Sequence, residues 1–344
     1  MTMDWQQAHG GVAGRGRLRV HTTDFRVDED LGFAPDGDGE HVLVWLRKQG
    51  VNTAEVAQAL AAFAGVSARA VGTSGRKDRH AETGQWFSVH LPGRSDPDWE
   101  AFSCERWQVG EARRHRRRLR TGTHRGNRFR LVIRDFAGDR ERLAARMQEI
   151  AEYGFPNYFG PQRFGRGGAN IQRARDLFAG TIRPRKGVRG LYLSAARSWL
   201  FNQVLSVRVA EGTWLAPQMD DALMLAGTHS MFRCKGDEPD LEERIARCDL
   251  HVTGPLWGRG SRVAGPAAQA RECAWLAGDT ELREGLERAG LRADRRALRA
   301  LASDVDWSLD TDDEGRGTLE LAFTLSSGVF ATALLAEIVA TDDR

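Results

Sequence analysis

Two segments far apart in the chain carry the strongest constraint on the fold. In NRFRLVIR (127–134), a period of two sets Asn127, Phe129, Leu131 and Ile133 on one face, with Arg128, Arg130 and Arg134 on the other. In TLELAFTL (318–325), Leu319, Leu321, Phe323 and Leu325 alternate in the same way with Thr318, Glu320, Ala322 and Thr324. A strand with a single apolar face must join a sheet that buries it. The end of the chain is therefore expected to complete the sheet begun near its start, with the middle third inserted between them.

The rest of the first third alternates strand and helix. HVLVWL (41–46) and QWFSVHL (85–91) read as strands. Between them Asn52, with Glu55 three residues on, predicts a capped helix carried by Val56, Ala59, Leu60 and Phe63 and ended by Gly65. Leu143, Met147 and Ile150 mark a further helix, and NYFGPQRFGRGGAN (157–170) reads as a loop. A helix is expected from about Ser194 on the stripe Leu200, Val204 and Val207. From about 240 to 303 the pattern is mainly helical, broken by Gly-rich connections such as GPLWGRGSRVAGP (254–266), and a last helix follows Gly328.

Several function classes are excluded on motif grounds. Among 344 residues, no Lys precedes Ser or Thr as a phosphate loop requires, and there is no HExxH or GxSxG. No full dinucleotide fingerprint follows a strand. Cys104, Cys234, Cys248 and Cys273 are scattered without a CxxC pair, which speaks against a zinc site and a disulfide framework. No apolar run reaches the roughly 18 residues of a membrane span, and MTMDWQQAHG lacks the layout of a secretory signal. The expectation is a cytoplasmic protein without metal, nucleotide or other cofactor.

The net charge of +3 does not announce a nucleic-acid partner; its local distribution says more, although a bias in genomic base composition also accounts for an excess of Arg over Lys. Lys occurs only at 48, 77, 186 and 235, so almost all basic charge is Arg, whose planar fork suits phosphates and stacks on bases. Arg113 to Arg120 form a dense basic run, with Arg116, Arg117 and Arg118 at its centre. Such a run is either a solvated face or a track for phosphates. In 157–170 aromatics interleave with Arg163, Arg166 and glycines, a composition suited to single-stranded RNA or to a packed loop. In GTSGRKDRHAETGQWFSV (72–89), Asp78 sits in a Gly-rich turn between Arg76, Lys77 and Arg79. A carboxylate there is a solvated loop residue or, in a partly dry pocket, a nucleophile or base.

These residues resemble a known family. GRKDRHAETGQWFSV (75–89) is similar to the Gly-x-Lys-Asp motif of the TruD family of tRNA pseudouridine synthases, and NYFGPQRFG (157–165) to its Asn-Tyr-Phe-Gly-x-Gln-Arg-Phe-Gly signature. Residues 24–57, HRGNRF (124–129), LYLSAARSWLFNQVL (191–205) and SGVFAT (327–332) extend the resemblance in order and spacing over most of the chain.

The resemblance implies an α+β fold: a pseudouridine synthase catalytic domain over 1–152 and 306–344 with a mixed, largely antiparallel sheet, and an inserted TruD-specific α/β domain over 153–305. It implies Asp78 as the catalytic carboxylate and Arg19, where a relative has Lys, as its basic partner. Phe25, Asn127, Phe129 and Phe330 match positions that hold the target uridine. Lys77, Arg116, Arg117, Arg118, Arg163 and Arg166 are candidate RNA contacts. The implied reaction is isomerisation of uridine 13 in the D arm of tRNA; separately, the chain is expected to be a monomer. Against this stand two other classes, a non-catalytic RNA-binding protein or chaperone on the same fold, and an assembly factor that uses the Arg-rich face on acidic proteins.

Overall fold

The computed structural model describes residues 5–260, 263–312 and 316–341. The first four residues of the N-terminal segment, and Ser261 and Arg262 of the Gly-rich connection, lie outside them. The described chain forms two compact units. One comprises residues from 14–143, 302–328 and 339–344, and the other residues from 1–13, 144–301 and 329–338.

The first unit is built on one mixed sheet whose axis is the strand Gly126–Gly138. Gly317–Ser326 pairs with it antiparallel on one side and Phe25–Asp30 antiparallel on the other. Ala302–Thr311 extends the sheet beyond Gly317–Ser326. Beyond Phe25–Asp30 come Glu82–His90, in parallel, then His41–Lys48 and Trp107–His115, each antiparallel to its neighbour. The period-two reading holds: Phe129, Leu131 and Ile133 are buried while Arg128 and Arg130 are exposed. Asp135, at φ 51°, breaks the alternation and brings Phe136 inward.

The helix Thr53–Phe63 covers the sheet with Val56 and Leu60, packed against Val42, Val44, Leu46, Phe87 and Val89. Gly65 ends this region at φ 62°, as expected. Its start differs from the predicted cap. The Asn52 side chain makes no cap bond, and only its carbonyl accepts from the Glu55 and Val56 amides. Glu55 turns instead to Arg106, at 2.6 Å.

The second unit centres on the helix Lys186–Ala210, which packs with Ala169–Phe178, Thr280–Arg288 and Pro266–Trp275. The helix starts well before Ser194. Its first turns carry exposed Val188 and Leu191, so no apolar stripe marked them in sequence. The region read as mainly helical also contains strands. Ala222–Leu225, Met231–Arg233, Leu250–Leu256 and Asp294–Ala297 form an antiparallel sheet. Leu250–Leu256 is buried at nearly every position and includes Gly254 and Pro255, which removes both the alternation and the composition by which a strand is read. Residues 157–168 are a loop with two short 3₁₀ turns, while Ala169 and Asn170, read as part of it, open the helix Ala169–Phe178; Tyr158 and Phe164 are buried. The last helix is Ala331–Ile338.

Candidate active site

Three strand positions define one end of the first unit's sheet. Phe25 pairs with Leu131, Val27 with Phe129 and Glu29 with Asn127. Because facing residues of paired strands point to the same side, Phe25, Glu29, Asn127 and Phe129 share one face. Phe25 and Phe129 meet edge to face at 6.3 Å, and Phe129 stacks on Phe323 at 5.2 Å.

Asp78 belongs to the loop between the strands Val71–Thr73 and Glu82–His90. Its Oδ1 accepts from the His80 amide at 3.0 Å, and its Oδ2 lies 3.5 Å from the Arg19 guanidinium. The side chains of Arg19 and Asp78 are 19% and 24% exposed, so the pair is sheltered yet reachable. Arg19 follows the strand Gly14–Leu18 at φ 60°, and its guanidinium lies over the Phe25 ring at 4.3 Å. This cation–π contact aims the cation at Asp78. Just downstream, Asp24 is clamped bidentately by Arg134 and accepts from the His21 amide. Burial alone would raise the Asp24 carboxyl, but these hydrogen bonds hold it below the usual range.

The interior of the site is ionic. Lys77 Nζ donates to Glu29 Oε1 at 3.0 Å and to Asn127 Oδ1 at 2.6 Å, with side chains 8% and 0% exposed for Lys77 and Glu29. Lys77, a candidate RNA contact from the sequence, has its ammonium held in the interior by Glu29 and Asn127. The second oxygen of Glu29 accepts from the Trp86 amide. His124 lies beside this group, with Nε2 3.4 Å from Asn127 Nδ2. Burial, then the Lys77 charge, pushes the His124 imidazole below its ordinary value, against the pull of Glu29.

Lys48 is 1% exposed and donates to the carbonyls of Val51 at 2.9 Å and Asp78 at 3.3 Å. Burial, with a smaller push from Lys77, brings its ammonium down to about 8 although Asp78 favours the charged form. The loop is further tied by Lys77 N to Thr53 Oγ1, Gln85 Nε2 to Gly75 O and Gly122 N to Ser74 O.

Glu29, Lys48, Thr53, Gln85 and His124 were not singled out in the sequence. For Lys48 a signal existed. It stands two residues after Leu46 and four after Val44, on the core-facing side of its strand.

Residues 116–125 form a strap that runs from the basic strand end to Asn127. Arg116 pairs with Asp38, and Arg118 donates to the Val71 carbonyl at 2.7 Å. The strap passes so close to Gly72 that a Cβ there would lie 2.5 Å from the Leu119 carbonyl oxygen. Arg117 and Arg120 are exposed and, with Phe33, His41 and His115, line a concavity of about 900 Å³.

Phe330, Arg163 and Arg166 belong to the second unit. Phe330 packs on Phe159 at 5.8 Å, and Arg163 lies over both rings and donates to Ser194 Oγ at 2.9 Å. Burial pushes the Arg163 guanidinium below its ordinary value. Arg166 is exposed. Among the described residues no group of three or more His, Cys, Asp or Glu is placed to hold a metal, and no helix is long and apolar enough to cross a membrane.

The family model for tRNA pseudouridine synthase D (TruD) matches residues 9–174 and 183–338. A protein named tRNA pseudouridine synthase D from Methylococcus capsulatus is 47% identical over 99% of this chain and 96% of its own length. A protein of the same name from Aeromonas salmonicida is 45% identical over 97% of this chain and 94% of its own. In fold the chain is similar to the crystal structure of a putative tRNA pseudouridine synthase D from Methanosarcina mazei. The TM-score is 0.72 at 19% identity, with 96% of this chain and 95% of that one covered. The chain belongs to the TruD family of tRNA pseudouridine synthases.

Proposed function

We propose that Asp78 is the carboxylate with which this chain isomerises uridine to pseudouridine in tRNA, and that the target is uridine 13 of the D arm. The bond from ribose C1′ to N1 breaks, the freed uracil turns, and C5 bonds to C1′. A proton leaves C5 and N1 gains one, so atoms and electrons balance without a co-reactant. The single observation that carries this reading is the sheltered Arg19–Asp78 pair, 3.5 Å apart, with Arg19 held over Phe25 at the face that also bears Asn127 and Phe129. Arg19 holds the carboxylate in orientation. Phe25 and Phe129 offer apolar ring surface for the base, and Asn127 offers an amide for its edge.

To reach Asp78 the uridine leaves its stack, at a cost of about a few kcal/mol. Contacts of the basic strap with the RNA backbone, and ring contacts at the site, offset that cost. On this reading the chain acts in the cytoplasm as a monomer, on side chains alone, and residues 153–305 are an inserted domain that supplies Arg163 and Arg166 to the bound tRNA.

The test is Asp78→Asn. Unmodified tRNA is incubated with each protein and pseudouridine is mapped at single-nucleotide resolution. The wild type is expected to modify position 13, and the variant to bind tRNA with nearly unchanged affinity and modify nothing. Turnover by the variant would remove Asp78 from the role, and tRNA binding without wild-type turnover would favour the non-catalytic reading.

A further inference from the structure

We propose that Lys48 is a positioning residue of this reaction: its buried ammonium holds the peptide carbonyl of Asp78 and so fixes the direction of the carboxylate. This inference rests on the reading of Asp78 as the catalytic carboxylate. Three independent observations lead to it.

The first is residue choice. The chain has 50 basic residues, and only Lys48, Lys77, Lys186 and Lys235 are not Arg. Two of these four meet at one loop, Lys77 within it and Lys48 reaching it from the strand His41–Lys48. An ammonium is a compact donor that fits a closed space between oxygens, where the wide planar fork of Arg does not. In a chain so biased towards Arg, Lys at these places points to that geometry.

The second is burial. Lys48 occupies a core position of its strand, in line with Leu46 and Val44, where an apolar residue would be the ordinary occupant. A charge in the interior disfavours folding unless polar groups surround it. Its neighbours are the Val51 and Asp78 carbonyls, at 2.9 and 3.3 Å. A methionine would fill similar space without that penalty, so stability alone does not account for an ammonium here.

The third is where the contact falls. Lys77 N, Gly75 O and Ser74 O are held by neutral partners, Thr53, Gln85 and Gly122. The Asp78 peptide itself is held by a charged one. A carbonyl fixed by a buried cation restrains the backbone from which the carboxylate extends. The charged groups facing Lys48 are Asp78, which supports its protonation, and Lys77, which opposes it.

The test compares wild type with Lys48→Met and Lys48→Gln, after circular dichroism has shown which variants fold. Misplacement of a catalytic group by about 1 Å costs on the order of 100-fold in rate, and Lys48→Met is expected to lose about that much in kcat. Its Kd for tRNA should stay within about threefold of wild type, because a group acting on the chemical step alone leaves binding intact. Lys48→Gln, which keeps a donor without the charge, should recover part of kcat. The wild-type profile of kcat against pH should fall on the alkaline side as Lys48 loses its proton near pH 8, and Lys48→Met should lack that limb.

The proposal is overturned if folded Lys48→Met keeps kcat within about threefold of wild type, or loses tRNA affinity in step with kcat. It is also overturned if the two pH profiles coincide. If Lys48→Met does not fold, Lys48→Gln is judged by the same criteria. Asp78→Asn is run alongside: its inactivity next to a normal Lys48→Met sinks the Lys48 role alone, whereas turnover by Asp78→Asn sinks the reading beneath it.

Discussion

Buried cations occur in both units, and they end differently. In the second unit Arg295 is enclosed by Glu272, with Nη2 to Oε1 at 2.6 Å, and by the Thr253 carbonyl and hydroxyl, both at 2.7 Å. Arg208 and Arg271 close on Asp221 at 2.8 and 2.9 Å. In each cluster charge meets charge. In the first unit Lys48 ends on two carbonyls, one of them that of Asp78, and Lys77 spans Glu29 and the Asn127 amide. A closed ion pair specifies a fold. A cation that ends on the groups flanking an accessible carboxylate also sets the geometry of a site.

Removing Lys77 should have the largest effect, because it strikes both properties at once. Lys77→Met leaves the Glu29 carboxylate buried without its cation, which typically costs about 3–5 kcal/mol of stability. It also frees the Asn127 amide to turn. Denaturant unfolding should show the stability loss, and kcat measured on the folded fraction should fall in addition. Arg295→Met is the control in the other unit. It strands Glu272 and should cost a similar 3–5 kcal/mol or so, with kcat of the folded fraction unchanged. The pair Arg295→Met with Glu272→Leu removes both charges and should regain most of that loss. A fall in kcat for the folded control would erase the distinction between the two kinds of cluster.

A smaller effect separates the units by pH. His251 Nδ1 accepts from Arg299 Nε at 3.2 Å; burial, with the Arg299 charge, brings the imidazole down to about 4. The folded form therefore binds this proton less readily than the unfolded chain, whose ordinary value is near 6.5. The stability tied to the neutral ring is fully present above about pH 6.5 and declines as pH falls towards 4, by on the order of 1–3 kcal/mol. Melting temperatures measured from pH 7 to 4 should show a shallower decline for His251→Asn, whose amide oxygen can take the Arg299 hydrogen bond without titrating.

How much of this was legible depended on whether a residue's neighbours lay along its own strand. Phe129, Leu131 and Ile133 were readable as a buried face because alternation along one strand settles it, and the same logic placed residues 318–325 in the same sheet. Asp78 stood out as a carboxylate among cations. Its pairing with Arg19 was suggested only by resemblance, since residues 19 and 78 come together through sheet topology. Lys48 follows Arg47, and the two look like a charged strand end; only the phase of Val44 and Leu46 separates the core position from its half-buried neighbour. Strand Leu250–Leu256 was missed for the opposite reason. It is buried on both faces, so its pattern carries no phase.

The smallest predicted effect concerns the strap and tests whether its arginines divide between fold and RNA. Arg118 is committed to the Val71 carbonyl and Arg116 to Asp38, while Arg117 and Arg120 are exposed at the concavity that includes Phe33 and His115. Each phosphate neutralised on binding releases counterions, and log Kobs for RNA falls with log salt by roughly 0.7–0.9 per contact. Arg117→Gln should therefore reduce the salt slope of tRNA binding by about that amount and weaken binding modestly at low salt, with kcat at saturating tRNA and the melting temperature unchanged. Arg118→Gln should lower the melting temperature, because the strap loses its tie to Val71 next to Gly72. If Arg117→Gln leaves the slope untouched while Arg118→Gln changes it, the division of these arginines between fold and RNA fails, since Arg118 also borders the concavity.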